Sequence, residues 1–492
     1  MRHDQAPDPG IEQPGRRLAE EAHPDLVPLR RDRLVTGQQE QVAADDHDEP
    51  QPGHVVLDEE HDHRRVDHQA VRERIEDAPE VGLDVPASRE ETVDLVGDAG
   101  HGEDDARRPA VAAFGGGHQH DENRDQREAR DRQRIRKLLE GGGNGTSGHE
   151  CGKDTPVAET LSLPGFVDAH SHGFQRALRG KRQGAGDFWA WRELMLAEAE
   201  RQTPELVRRE YVEVYRELRA AGYTAVGEFH YLGFDEALAA VDAAEEANVR
   251  IVVLLAAYAR GGLPRFRQKS VAQYLRQIED LRGRGVAVGV APHSVRACPS
   301  DWLEEIGRYA AAESLPLHVH ADEQPREIEE CLAEHGIHPI ELLDRTGCLS
   351  ERTTVVHATH ADGAELDLLA RAGARICACP TTEADLGDGF LPVERVCTRS
   401  IGICIGSDSN VRIDPLEELR ELEGIARRQA GRRSVISTET LLCFGADEGA
   451  GSLGIEEWDD VVVDLAHPSL RGVEDVFEGL VSGCAADVFL EA

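Results

Sequence analysis

Eight short apolar runs, most of them separated by stretches of helical periodicity, constrain the fold of this chain more than any other feature. They are FVDAH (166–170), TAVGEFHY (224–231), IVVLLAAYA (251–259), VAVGVAPHS (286–294), LPLHVHADE (315–323), TTVVHATH (353–360), RICACPTTE (375–383) and IGICIGSDS (401–409). Between them lie amphipathic patterns such as PELVRREYVEVYRELRAAG, DEALAAVDAAEEA and SVAQYLRQIEDLRGRG. Glycines that end helices recur before strands, at Gly222, Gly285 and Gly373. Apolar runs alternating with helices indicate a parallel sheet. Eight such units in about 250 residues fit a (β/α)8 barrel. A doubly wound open sheet is the competing arrangement. Polar residues at the C-terminal ends of most strands favour the barrel, because that rim is where barrel active sites form.

The chain is not uniform. Residues 1–155 are crowded with Asp, Glu, Arg, His and Gln, and Phe114 is their only aromatic residue. Half of the 22 histidines fall in the first 150 residues. A segment with so little apolar surface to bury is expected to be disordered or weakly structured and dispensable for chemistry. A His-rich metal-binding tail is the functional reading of it, and an extension with no fold of its own is the plainer one. Residues 156–430 form the expected barrel. Residues 431–492 are expected to complete it and add part of a small β-sandwich. That final stretch offers one good strand, Asp460 to Leu465, and the start of another at Asp487 to Leu490.

The net charge of −39, from 94 acidic and 55 basic residues, argues against nucleic acid or an anionic membrane as partner. No apolar run approaches the length of a membrane span, and the N-terminus has no signal-peptide core. The ten cysteines show no CxxC pair, which indicates reduced thiols and a cytoplasmic protein.

The strand ends carry the chemistry. The first run ends in His170-Ser171-His172, and alternation along a strand points both imidazoles the same way. The fifth run supplies His320, with Glu323 three residues on. The sixth supplies His357, and the eighth Asp408. Three histidines and an aspartate suit zinc with room left for a water, and such a water becomes a nucleophile near neutral pH. Glu323 is then placed as a proton shuttle, and His357 as a second base or electrostatic stabiliser. His318 and His360 lie close enough in sequence to His320 and His357 to leave the choice open at both places. The fourth run ends Ala291-Pro292-His293-Ser294, with no lysine to bridge two ions, so one ion per chain is expected.

The order HxH, HxxE, His, Asp resembles the amidohydrolase superfamily. Within it, HSHGFQRAL, FWAWREL, AGYTAVGEFHYL, APHSVRA, LHVHADEQ, VVHATHAD, PTTEADLGDGF and IGSDSNVRIDPLEELRELE are similar to the formimidoylglutamate deiminases, over about residues 163 to 425. The resemblance implies a distorted (β/α)8 barrel of the amidohydrolase type and a homodimer. It implies zinc held by His170, His172, His320 and Asp408, and Glu323, His357 and Asp408 as the proton-handling residues. It assigns substrate binding to Gln175, Arg192, Tyr231, His293 and Arg296. The implied substrate is a small molecule with two carboxylates, N-formimino-L-glutamate, and guanidinium forks at Arg192 and Arg296 suit such groups. The family's opening sandwich strands are not apparent before Leu163, so the sandwich is expected to be incomplete. Two other readings compete. One is a deaminase of a purine or other aromatic ring, which needs stacking aromatics where this pocket offers arginines. The other is a non-catalytic zinc-binding remnant.

Overall fold

The computed structural model describes residues 160–181 and 188–490. The expectation for the acidic, His-rich extension lies outside these residues.

All eight apolar runs are strands, and they pair in chain order as one parallel sheet. They are β2 (Phe166–Ser171), β3 (Tyr223–His230), β4 (Arg250–Ala257), β5 (Val288–Pro292), β6 (Leu317–Ala321), β7 (Thr353–His357), β8 (Arg375–Ala378) and β9 (Gly402–Ile405). The sheet closes on itself at the seam between the first and last of these. There Ser171 bridges Asp408, and backbone bonds run from the Asp408 amide to His170 O (2.9 Å) and from the His172 amide to Asp408 O (2.8 Å). The open doubly wound sheet is thereby excluded. β2, β3, β5, β6, β7 and β8 are buried along their whole length. One face looks into the barrel and the other meets helices, which is why these runs read as continuous apolar stretches rather than alternating ones.

The helices follow their caps. The helix Pro204–Ala220 begins at Thr203, whose side chain accepts from the Leu206 amide, and has proline in its first turn. It buries Tyr211, Tyr215 and Leu218 against the barrel. The chain then turns through Gly222 at φ +94°, where a Cβ would lie 2.9 Å from the Phe489 ring.

One expectation is corrected. A strand does precede the barrel: β1 (Thr160–Pro164) pairs antiparallel with β10 (Asp460–Asp464), and β10 pairs with β11 (Phe489–Leu490). TLSLP was illegible because only Leu163 of its five residues is fully buried, so it lacks an apolar run. The small sheet has three strands, drawn from both ends of the described chain. Between the barrel's last long helix and β10, the helices Thr438–Gly445 and Asp447–Leu453 lie against β2. Their Gly445 and Gly449 allow close approach to Phe166 and Val167.

Candidate metal centre and its pocket

His170 ends the run of β2, and His172 follows one residue beyond the strand, ahead of a 3-10 turn at Gly173–Leu178. Simple alternation does not bring the two together unaided. Between Asp168 and Ser171, β2 carries one residue more than the Val226–Glu228 stretch of β3 opposite it, and this bulge re-aims the segment. The Nε2 atoms of His170 and His172 lie 3.1 Å apart, and those of His170 and His320 also 3.1 Å. Asp408 Oδ1 is 3.4 Å from His172 Nε2 and 3.7 Å from His170 Nε2.

The tautomers make this cluster diagnostic. His172 Nδ1 is 2.9 Å from Phe229 O, and His320 Nδ1 is 3.0 Å from His293 O. A carbonyl only accepts, so each Nδ1 carries the proton and each Nε2 presents a lone pair. Burial holds all three imidazoles neutral: it depresses His172 to about 3 and puts His170 and His320 well below the ordinary range. His170 Nε2 lies 3.1 Å from both of these lone pairs and can donate to only one of them, so three neutral rings this close leave a lone pair uncompensated that a cation among them would satisfy. The donor set therefore fits a divalent ion, and its three nitrogens and one carboxylate match zinc preferences.

The two ambiguities resolve. His318 points to the other end of the barrel, where its Nε2 donates to Ser452 O at 3.0 Å. His320 is the residue in the cluster. His357 faces the site, with Nε2 3.8 Å from both Glu323 Oε1 and Asp408 Oδ2, whereas His360 packs beside Gly389. His357 (φ 74°) and Asp408 (φ 48°) both hold left-handed backbone, as does Asp322 (φ 54°). Strained non-glycine residues gathered on one rim are a mark of functional sites.

Asp408 and His357 sit side by side and are shifted by different causes. Burial raises Asp408 to about 7, with Glu323 and Glu383 adding to the shift and His357 opposing it. Burial alone depresses His357. A hydrogen bond to Glu383 and the charges of Glu323 and Asp408 outweigh it and lift the imidazole to about 10. Glu383 was not picked out from sequence. Its Oε1 is 3.3 Å from His357 Nδ1 and accepts from the Cys379 amide at 2.9 Å. It lies in the PTTEADLGDGF string, but nothing in the sequence paired it with His357, 26 residues away.

A cavity of about 310 Å³ opens onto the cluster. Gln175, Arg192, Tyr231, His293 and Arg296 all line it, as do Glu323, His357 and Asp408. Gln175 Nε2 donates to the Tyr231 hydroxyl at 3.0 Å. Arg296 is already engaged: its guanidinium lies 3.4 Å from Glu323 Oε2 and 3.6 Å from Glu327 Oε1. Arg192 has no ion pair or hydrogen bond to a carboxylate among the described residues, so of the two forks it is the open one. The expectation that arginines stand in place of aromatics is corrected. Phe188, Trp189, Trp191, Tyr258 and Phe266 share the wall, and Arg326 stacks 4.3 Å from the Trp189 ring. The FWAWREL string held that signal.

Among the described residues no helix is long and apolar enough to cross a membrane.

Comparison with known proteins gives a consistent picture. A formimidoylglutamate deiminase of Pseudomonas aeruginosa is 37% identical over 289 residues, which cover 53% of this chain and 63% of that protein. The match therefore spans less than two thirds of that relative's length. A 5-methylthioadenosine/S-adenosylhomocysteine deaminase of Haloarcula marismortui is 27% identical over 66% of this chain and 77% of its own. The crystal structure of an adenosine deaminase from Xanthomonas campestris with bound zinc superposes with a TM-score of 0.61, at 23% identity. It covers 67% of this chain and 78% of that one, and shares the fold. Residues 161–489 match the amidohydrolase family along the whole barrel and small sheet, and the chain belongs to that family.

Proposed function

We propose that this protein hydrolyses N-formimino-L-glutamate to N-formyl-L-glutamate and ammonia, with one zinc ion held by His170, His172, His320 and Asp408. The observation that carries the substrate is Arg192. Among the described residues its guanidinium has no carboxylate partner, and it lines the same cavity as Arg296 and the clustered His172 and His320. Two carboxylates at these forks leave the formimino end at the metal. The similarity to the Pseudomonas aeruginosa formimidoylglutamate deiminase supports the same reading.

When bound, the ion supplies Lewis acidity and a water of lowered pKa. The protein's own residues handle protons and orientation. Asp408, its carboxyl raised by burial, takes the proton released as water adds to the carbon of the protonated formimino group, and His357, held by Glu383 as an imidazolium, stabilises the charge that develops on the oxygen. Glu323 then takes the proton of the added hydroxyl and passes it to the nitrogen, so that the carbon–oxygen double bond forms as the carbon–nitrogen bond breaks and ammonia departs. Gln175, Tyr231 and His293 orient the glutamyl part. The reading includes a cytoplasmic homodimer with neither nucleic acid nor membrane as partner. It rests on the family resemblance, the acidic charge and the cysteine usage.

A second reading has a specific observation behind it. The aromatic wall of Trp189, Trp191 and Tyr258 suits a ring, and a relative deaminates 5-methylthioadenosine. Ammonia release from formiminoglutamate, 5-methylthioadenosine and adenosine, with and without chelator, separates the two. Release from none of them supports the non-catalytic remnant. Losing one charge-assisted fork costs about 1.5–3 kcal/mol, so Arg192→Ala is expected to lower kcat/KM for formiminoglutamate at least about tenfold with metal content unchanged. Unchanged efficiency would remove the dicarboxylate assignment. Arg296→Ala is a less selective test, because it also strips the buried Glu327 of its partner.

A further inference from the structure

Glu228 on β3 is fully buried beneath the histidine segment, and it takes no part in the proton handling above. Four groups donate to its carboxylate. The Gly173 amide reaches both oxygens, at 3.1 and 3.3 Å. Ser171 Oγ donates at 3.3 Å, the Tyr211 hydroxyl at 3.1 Å and the Tyr215 hydroxyl at 3.2 Å. Burial raises this carboxyl, and the Gly173 amide and the two tyrosine hydroxyls oppose that rise. A backbone amide cannot rotate away as a hydroxyl can, so the site is built to present donors to an acceptor.

The placement explains the need. The bulge after Asp168 interrupts the β2–β3 ladder where the proposed ligands lie. Beyond it, Ser171 faces Glu228, and the Gly173 amide, on the far side of His172, finds its partner in the Glu228 carboxylate. A Cβ at Gly173 would lie 2.9 Å from the Tyr211 ring, so this segment is pressed against one of the tyrosines that hold the carboxylate. Phe229, the next residue of β3, fixes the His172 ring through its carbonyl. On the seam side, Asn410 Nδ2 donates to Ser171 Oγ and to Asp408 O, each at 3.0 Å. The hydroxyl of Ser171 thus links Glu228 to the residue that follows Asp408 by two.

We propose that Glu228 is a positioning residue that sets how tightly the site holds a divalent ion, by fixing Ser171 and Gly173 on either side of His172. The inference rests on the metal reading above. Groups that orient metal ligands are worth about 10–100-fold in affinity when removed.

The test is zinc competition against a chromophoric chelator, on the full chain, with His320→Ala as the background for zinc held elsewhere. Glu228→Gln places an amide N–H₂ against donors and is expected to weaken His320-dependent zinc affinity about 10–100-fold. At saturating zinc its kcat and KM should return close to those of the wild type. Ser171→Ala, which breaks one link and keeps the buried carboxylate, is expected to weaken affinity about three- to tenfold. Tyr274→Phe, which removes a buried hydroxyl bonded to Leu255 O and the Ala291 amide and touches none of this network, is the control for stability alone: its melting temperature falls and its zinc affinity stays. The proposal is overturned if Glu228→Gln and Ser171→Ala both hold zinc as tightly as wild type, or if Tyr274→Phe weakens zinc as much as they do. A wild type with no His320-dependent affinity overturns the metal reading itself, and the wild-type measurement alone identifies that case.

Discussion

Glu323 and His357 face each other across 3.8 Å at the mouth of a buried histidine cluster, and their neighbours give them different tasks. His357 is backed by a carboxylate, Glu383, that orients its ring. Glu323 is backed by a cation, Arg296, whose guanidinium lies 3.4 Å from its Oε2. Glu323→Gln keeps the shape and loses the transferable proton. The variant is expected to retain zinc and its melting temperature and to lose at least about a hundredfold in kcat. Near-normal turnover would take Glu323 out of the reaction. The residues at strand ends were legible in the chain because their spacing from each apolar run fixes where they emerge. Glu383 and Glu228 were not. Each acts on a partner distant in sequence, and only closure of the barrel brings donor and acceptor together.

At the scale of one element, β6 sends two histidines in the same run to different fates. His320 reaches the rim, and His318 is held neutral inside by burial, which depresses it from 6.5 to about 4 despite its bond to Ser452 O. The unfolded chain protonates near 6.5 and the folded one only near 4. The stability linked to this residue is therefore full above 6.5 and is lost as pH falls toward 4. Between pH 8 and pH 5.5 that loss is on the order of 1 kcal/mol. Urea titrations at the two pH values should show a smaller drop for His318→Gln than for the wild type, because the other titrating groups are common to both. An equal drop in the two proteins would mean that His318 titrates alike folded and unfolded. β6 itself was plain from its apolar run. What its two histidines do was not, because alternation gives both the same face and says nothing of how high each lies along the barrel.

For the whole molecule, the three-stranded sheet ties the start of the described chain to its end. β1 pairs with β10 through five residue pairs, from Thr160↔Asp464 to Pro164↔Asp460. The Trp458 indole donates to Gly165 O at 2.9 Å, and the Gly165 amide to Asp459 O at 3.0 Å. A chain begun at Thr160 keeps these bonds and is expected to match the full chain in melting temperature and metal content. One begun at Phe166 strips β10 of its main partner and is expected to melt several degrees lower, which scanning calorimetry would register. Equal melting of the two truncations would show the small sheet to be without weight in stability.

The barrel's seam has a consequence of its own. The proposed ligands His170, on β2, and Asp408, three residues beyond β9, flank the joint between the first and last strands of the ring, and β6 contributes from midway round. A nascent chain that has not yet produced β9 offers nitrogen donors but no complete cage. An ion held by these ligands would mark the circle as whole and would act as a rivet across the joint between the first and last strands of the barrel.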